Sequence, residues 1–214
     1  SAQSEACRGR HCAYYLAVAE QAEPEMHRAQ QAAWMRRLDR DLDNLRVAVR
    51  TGRARSDADS VLRLTGALWW YLWVRGHLRE GLDWVDGLLD APGVADRAHM
   101  AGLRVSAMLL GSLGHSSEAM ARATELLALA ESTGDVAETA RAATLLGLEE
   151  VRAAHIDRAQ PLFERALVYA RAVDHPMLTP HALVNLGAIW FELGQSGRAA
   201  DLYREGVAYF ERIG

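Results

Sequence analysis

Lysine is missing from this sequence: all 24 basic residues are arginine. A Walker A loop needs a lysine beside its serine or threonine, and Schiff-base catalysis needs a lysine amine, so neither chemistry resides in these 214 residues. Cysteine is nearly absent as well. Cys7 and Cys12 lie five positions apart, and on a helix that spacing turns them roughly 140° from one another, which argues for two reduced thiols rather than a disulfide or a shared metal ion. A cytoplasmic setting fits that reading. No run of 18 or more apolar residues occurs, so no membrane span is expected. Ser1 to Arg10 lacks the apolar core of a secretory leader, and the missing initiator methionine reads as the mark of a piece cut from a longer protein or of a processed start. The formal net charge of −4 gives no overall attraction to nucleic acid or anionic lipid, and no direct contact with either is expected. There is no G-x-S-x-G elbow, no H-E-x-x-H pair and no glycine-rich phosphate loop. Glu149 and Glu150 are adjacent, hence about 100° apart on a helix, and cannot act as a facing acid pair. The expectation is a non-catalytic chain without a cofactor.

Half of the residues are hydrophobic, enough for a packed core, and they recur in a register. Gly114 with Ala119, Ala154 with Ala159 and Gly194 with Ala199 each set a small residue at a turn and another five residues later, at an interval of 40 residues. A looser copy, Gly76 with Gly81, stands 38 residues before the first. Self-similarity at such a period marks stacked helical repeats, whose units cannot bury their apolar faces alone. Between turns the apolar residues keep helical spacing. Trp34, Leu38, Leu42, Leu45 and Val49 form one stripe of a long helix, whose opposite face, with Arg36, Arg37, Asp39, Arg40, Asp43 and Arg50, reads as solvated. The tract Thr51 to Asp59 reads as a connection, and 91–93, 133–135 and 174–176 as short breaker-rich links. No alternation of β-branched residues marks a strand. The predicted fold is all-α, a right-handed α-α superhelix of antiparallel helix pairs with about ten helices. It divides into a two-helix N-terminal region, 1–56, and four hairpins, 57–90, 94–133, 135–173 and 178–212. The helices are expected at 57–75 and 78–90, 94–113 and 116–133, 135–153 and 156–173, and 178–193 and 196–212.

The last hairpin sets Leu183, Leu186-Gly187, Trp190, Gly194, Ala199 and Tyr203 in order, and the third sets Leu146-Gly147, Ala159, Phe163 and Ala166, with Glu150 where an aromatic is expected. These residues resemble the tetratricopeptide repeat. The second unit is weaker, with Ala107 and Ala123 at two signature positions, and the first departs most, with Trp69 and Gly81 there. The N-terminal segments 11–20 (HCAYYLAVAE), 31–34 (QAAW), 43–49 (DNLRVAV), 68–73 (LWWYLW) and 75–81 (RGHLREG) are similar to the junction between switch domain and repeat array in actinobacterial LuxR-type and related ATP-dependent, STAND-like transcriptional regulators. That resemblance implies a parent protein with a nucleotide switch and a DNA-binding helix-turn-helix elsewhere, and a role for this piece as its interaction and signal-input arm.

The tetratricopeptide resemblance further implies a concave surface lined by the inner helices. By register the lining takes Arg63, Trp70 and Trp73 from the first hairpin and Arg104 and Met108 from the second. The third adds Arg141, Thr144, Leu148 and Arg152, and the last adds His181, Phe191 and Glu192. Four arginines with few compensating acids point to an acidic protein or peptide partner, or a small anionic effector, since guanidinium forks bind carboxylates and phosphates bidentately. Trp69, Trp70 and Trp73 cannot all be buried on one side of a helix. They either fill the space between the long N-terminal helix and the first hairpin or leave Trp70 or Trp73 open as an anchor. His77, His115 and His155 each follow a turn residue, too far apart along the stack to share an ion, so no metal site is expected. The last helix is expected to show some of Leu202, Val207, Tyr209 and Phe210, a face on which two copies could pair as a homodimer. Three roles stay open: an interaction arm of a regulator, a small-molecule sensor, or an oligomerisation scaffold.

Overall fold

The structure, a computed structural model, describes residues 2–173 and 177–213; the expected link at 174–176 lies outside them. Among the described residues the chain is helical, with eleven α-helices, one 3-10 turn and no strand. It splits into two compact units, Ser1–Leu113 and Gly114–Gly214.

The first unit begins with α1 (Ala2–Ala22), the 3-10 turn Glu23–His27 and α2 (Gln31–Ala54). Next come α3 (Ala58–Ala67), α4 (Trp69–Val74), α5 (Leu78–Val85) and α6 (Asp96–Ser112). Leu38, Leu45 and Val49 of the expected α2 stripe are buried, in one core with Tyr15, Val18 and Ala19 of α1, Val61 and Leu64 of α3, Tyr71 and Leu72 of α4 and Trp84 of α5. The helix expected over 57–75 is interrupted at Leu68 (φ −90°, ψ 4°), which separates α3 from α4. The helix expected to reach residue 90 stops at Val85, because Asp86 is extended and Gly87 takes a left-handed turn (φ 66°). Arg53 of α2 receives that end: its Nη1 donates to the carbonyls of Asp83, Trp84 and Asp86 at 3.0–3.2 Å. A guanidinium there satisfies carbonyls that a helix end leaves bare and complements its dipole.

The second unit contains α7 (Ser116–Thr133), α8 (Val136–Arg152), α9 (Ile156–Ala172), α10 (Leu178–Glu192) and α11 (Ser196–Ile213). Phe163, Ala166 and Leu167 of α9 share a core with Ala182, Leu183, Leu186 and Ile189 of α10. The glycines of the repeat signature act as seats for rings. A Cβ on Gly147 would stand 2.8 Å from Phe163, and one on Gly187 would stand 2.7 Å from Tyr203. The 40-residue register is thus a packing rule, a missing side chain on the inner helix facing a ring sixteen residues later.

The turns repeat too. Gly114, Ala154 and Gly194 all take left-handed backbone (φ 86°, 60° and 73°), as does Gly76 (φ 74°). At three of these turns the next amide closes the helix end, His77 onto Leu72, His155 onto Glu150 and Gln195 onto Trp190, each at 2.8 Å. This is the Schellman pattern of helix termination.

Candidate functional site

The lining residues of the first unit fall into two groups. Arg63 on α3 donates Nε and Nη2 to Glu20 of α1 at 3.0 and 2.5 Å, with Asp59 at 3.6 Å, so it spans two helices of the same unit. The Glu20 bond is the main cause of its raised pKa. The remaining residues, Trp70, Trp73, Arg104 and Met108, stand on α4 and α6. Arg104, Met108 and Ser112 follow at steps of four, which sets them in one stripe of α6.

Trp73 is 45% exposed. Its indole N–H donates to Ser112 Oγ at 3.1 Å, and that hydroxyl in turn donates to the Met108 carbonyl at 2.9 Å, so this open ring is also pinned. Trp70 is half-buried against the unit core, 5.2 Å from Trp73 and 5.2 Å from Trp69 between ring centres. Its indole N–H is buried with no hydrogen-bond partner among the described residues. Trp70 thus packs against the unit core, and Trp73 is exposed.

Two further residues complete this face, and neither was expected from the sequence. Glu23 accepts from both terminal nitrogens of Arg104 at 3.3 Å, and His27 lies 4.6 Å from the Trp70 ring. Both sit on the 3-10 turn. Pro24 announces a break there, but not the direction in which the turn points its side chains. The Arg104 side chain keeps only 11% of its exposure.

In the second unit, Arg141, Thr144, Leu148 and Arg152 share a stripe of α8. Arg141 pairs with Glu138 at 3.0 Å, Thr144 bonds back to the Ala140 carbonyl, and Arg152 pairs with Glu149. The expectation of few compensating acids is corrected on all four lining arginines, because each has a carboxylate within its own unit: Glu20 and Asp59 for Arg63, Glu23 for Arg104, Glu138 for Arg141 and Glu149 for Arg152. All four main partners lie only three residues from their arginine or belong to the N-terminal segment, which a register count over inner helices does not see.

On α10, His181 is half-buried near Phe210 (ring centres 6.3 Å apart), and burial lowers its pKa. Phe191 is 60% exposed, Glu192 is exposed, and Val184, also exposed, extends the same stripe. On α11, Val207 and Phe210 are exposed, whereas Leu202 and Tyr209 pack against the unit core.

His77, His115 and His155 precede the first residues of α5, α7 and α9 and pair with Glu80, Glu118 and Glu150 at 2.9–3.3 Å. No group of three or more metal-ligating side chains is gathered among the described residues. Cys7 and Cys12 are free; Cys12 is buried, donates to the Ala48 carbonyl, and has its pKa raised mainly by burial, which keeps the thiol protonated and inert. No described helix is long and apolar enough to cross a membrane.

No family model matches the chain. Three curated proteins provisionally named HTH-type transcriptional regulators, two from strains of Mycobacterium tuberculosis and one from Mycobacterium bovis, are 30% identical to it over 174 residues. That match covers 77% of this chain and 19% of each relative's length. Among solved structures, BtubC (BKLC) from P. vanneervenii is similar with a TM-score of 0.61 at 16% identity, over 96% of this chain and 92% of that one. MamA is similar with a TM-score of 0.56 at 14% identity, over 81% and 92%. The chain has a helical-repeat, tetratricopeptide-like fold, and its sequence is weakly similar to one part of much longer proteins named as helix-turn-helix regulators.

Proposed function

We propose that this chain is the non-catalytic interaction and signal-input arm of a larger helix-turn-helix transcriptional regulator, of the LuxR-like, ATP-dependent kind, and that it receives a protein or peptide on the α4–α6 face. The first two helices, 1–56, serve as the junction to the rest of that regulator. The arm works in the cytoplasm, with no cofactor and no direct hold on DNA. The observation that carries this reading is Trp73, a large aromatic ring left 45% exposed yet held in one orientation by Ser112. Buried or pinned aromatics are the residues that dominate binding energy at interfaces, because they bring area without losing much side-chain freedom. Arg104 and Met108 flank it on α6, one supplying charge and the other an adaptable apolar contact. In the second unit, Arg141, Thr144, Leu148 and Arg152 on α8 and His181, Phe191 and Glu192 on α10 provide a separate face of the same kind.

A peptide array probed with the 214-residue chain and its Trp73→Ala variant tests this reading. Selected sequences that lose at least ten-fold in signal with the variant support it, since a buried anchor costs about 2 kcal/mol or more when truncated. An array pattern that Trp73→Ala leaves unchanged contradicts it. A small anionic effector is a second reading, favoured by the Trp70 N–H, a buried donor with no hydrogen-bond partner among the described residues.

A further inference from the structure

We propose that Glu23 is a built-in competitor at Arg104, and that the α4–α6 face receives an acidic peptide whose carboxylate takes Arg104 while an aromatic side chain lies on Trp73. This rests on the interaction-arm reading above.

The 3-10 turn supplies the template. Glu23 and His27 are four residues apart. The first puts its carboxylate on Arg104 at 3.3 Å, and the second puts its imidazole 4.6 Å from Trp70. A carboxylate followed by a flat ring thus already occupies an arginine and an indole within this unit. The next indole along α4, Trp73, has no such cover and stays open.

The spacing sets the ligand's length. From Arg104 to Ser112, which holds Trp73, is eight residues of helix, about 12 Å. An extended peptide crosses that distance in about four residues. The matching segment has a glutamate or aspartate three to four residues from an aromatic, with a small or apolar side chain over Met108. Glu23 stands beside Arg104, which disfavours a phosphodiester backbone and favours a peptide that brings one carboxylate to one guanidinium.

Glu23 is one-third exposed, so its pair with Arg104 is of the partly solvated kind and can open without unfolding the turn. Met26, fully buried beside it, anchors the turn while the carboxylate swings away. Exchange of one carboxylate for another leaves Arg104 paired in both states, so the buried guanidinium is never left bare. The cost is the lost internal pair, which weakens an incoming acid by about five-fold.

The test is a tryptophan-fluorescence titration of the 214-residue chain with a capped hexapeptide carrying glutamate and phenylalanine three residues apart. Its glutamine counterpart, benzoate and a six-nucleotide oligothymidine are run beside it. The glutamate peptide should bind at least ten-fold more tightly than the other three. Glu23→Gln should tighten it about five-fold, and Arg104→Gln should weaken it about ten-fold; Arg104→Lys, which keeps charge without the fork, should fall between, and thermal melts should show all variants folded. Unchanged or weaker binding by Glu23→Gln, absence of peptide binding, or equal binding of benzoate or the oligonucleotide would overturn the proposal. If Trp73→Ala abolishes peptide binding while Glu23→Gln has no effect, the competitor is wrong and the interaction arm stands. If Trp73→Ala has no effect on a peptide that binds, both fail.

Discussion

Ala154 does at its turn what glycine does at 114 and 194, and pays a side chain's penalty for it. Its φ of 60° lies in the left-handed region, where a Cβ crowds the following carbonyl and costs about 1 kcal/mol. Ala154→Gly should therefore stabilise the protein, raising its melting temperature by about 2–4 °C; a lower melting temperature would show that the extra freedom of glycine in the unfolded chain outweighs the relief. Glu149 shows a second departure from the register. It occupies the position of Leu109 and Ile189, which are buried, and is itself only 3% exposed. Arg152 satisfies one carboxylate oxygen, and the other has no hydrogen-bond partner among the described residues. Replacement by an apolar residue removes a buried charge, while Arg152, 40% exposed, keeps its access to water. Glu149→Leu should raise the denaturation midpoint, equivalent to about 1 kcal/mol or more; a drop would mean that the carboxylate holds an interaction worth more than its desolvation. In the sequence Glu149 reads only as one of two adjacent acids. Its burial follows from its place in the repeat, which the comparison with Leu109 and Ile189 exposes.

His181 adds a pH dependence at the same scale. Burial lowers its pKa from the ordinary 6.5, so the folded chain holds it neutral where the unfolded chain begins to protonate it. Below pH 6.5 the unfolded state binds more protons, and stability falls as pH drops toward the folded pKa. Thermal melts at pH 7.5 and 5.5 should show a loss on acidification that shrinks in His181→Phe, a ring that can keep the contact with Phe210; an equal loss in both proteins would assign the effect elsewhere.

Helix ends and helix contacts divide between what the pattern states and what tertiary packing decides. The bounds of α6 to α11 were legible to within two residues, because left-handed turn residues and short links punctuate the helical segments. The break at Leu68 and the stop at Val85 were not. The stop is received by Arg53, 31 residues before Trp84 in sequence, and the path of α3 is drawn onto α6, where Gly66 lies against Ala101. Glycine contacts between helices give a ranked prediction. A Cβ at Gly66 would stand 2.6 Å from the Ala101 Cβ and 3.1 Å from its carbonyl oxygen, and backbone cannot step aside. At Gly147 it would meet the Phe163 ring, fully buried, and at Gly187 the Tyr203 ring, half-exposed and able to turn outward. Destabilisation by Gly→Ala should follow the order 66, 147, 187, with the larger losses near 1–3 kcal/mol. Urea titrations of the three variants check the order, and a larger loss at Gly187 than at Gly66 would contradict it. Between elements, Arg46 of α2 clamps Glu80 of α5 with two bonds of 2.6 and 2.9 Å and lowers the Glu80 pKa. That stability is present above the ordinary carboxyl range and is lost as pH falls through the folded pKa of Glu80.

At the scale of the molecule, repeat class and helical content were readable from a 40-residue register, whereas the partners of the inner arginines were not. Arg63 and Arg104 meet glutamates of the N-terminal segment, residues with no counterpart in any hairpin, so no repeat-based reasoning could supply them. The first, most deviant hairpin supplies a pinned open tryptophan, and α6 beside it supplies an arginine with an internal acid and an adaptable methionine. Curated relatives carry a similar segment as 19% of their length. Hydrogen–deuterium exchange of the 214-residue chain with and without saturating acidic aromatic peptide addresses that face directly. If α4 and α6 receive the peptide, protection should appear at Trp69–Val74 and in the Arg104–Ser112 half of α6, with faster exchange at Glu23–His27 as Glu23 is released. Protection confined to α8 and α10, with residues 69–112 unchanged, would contradict it.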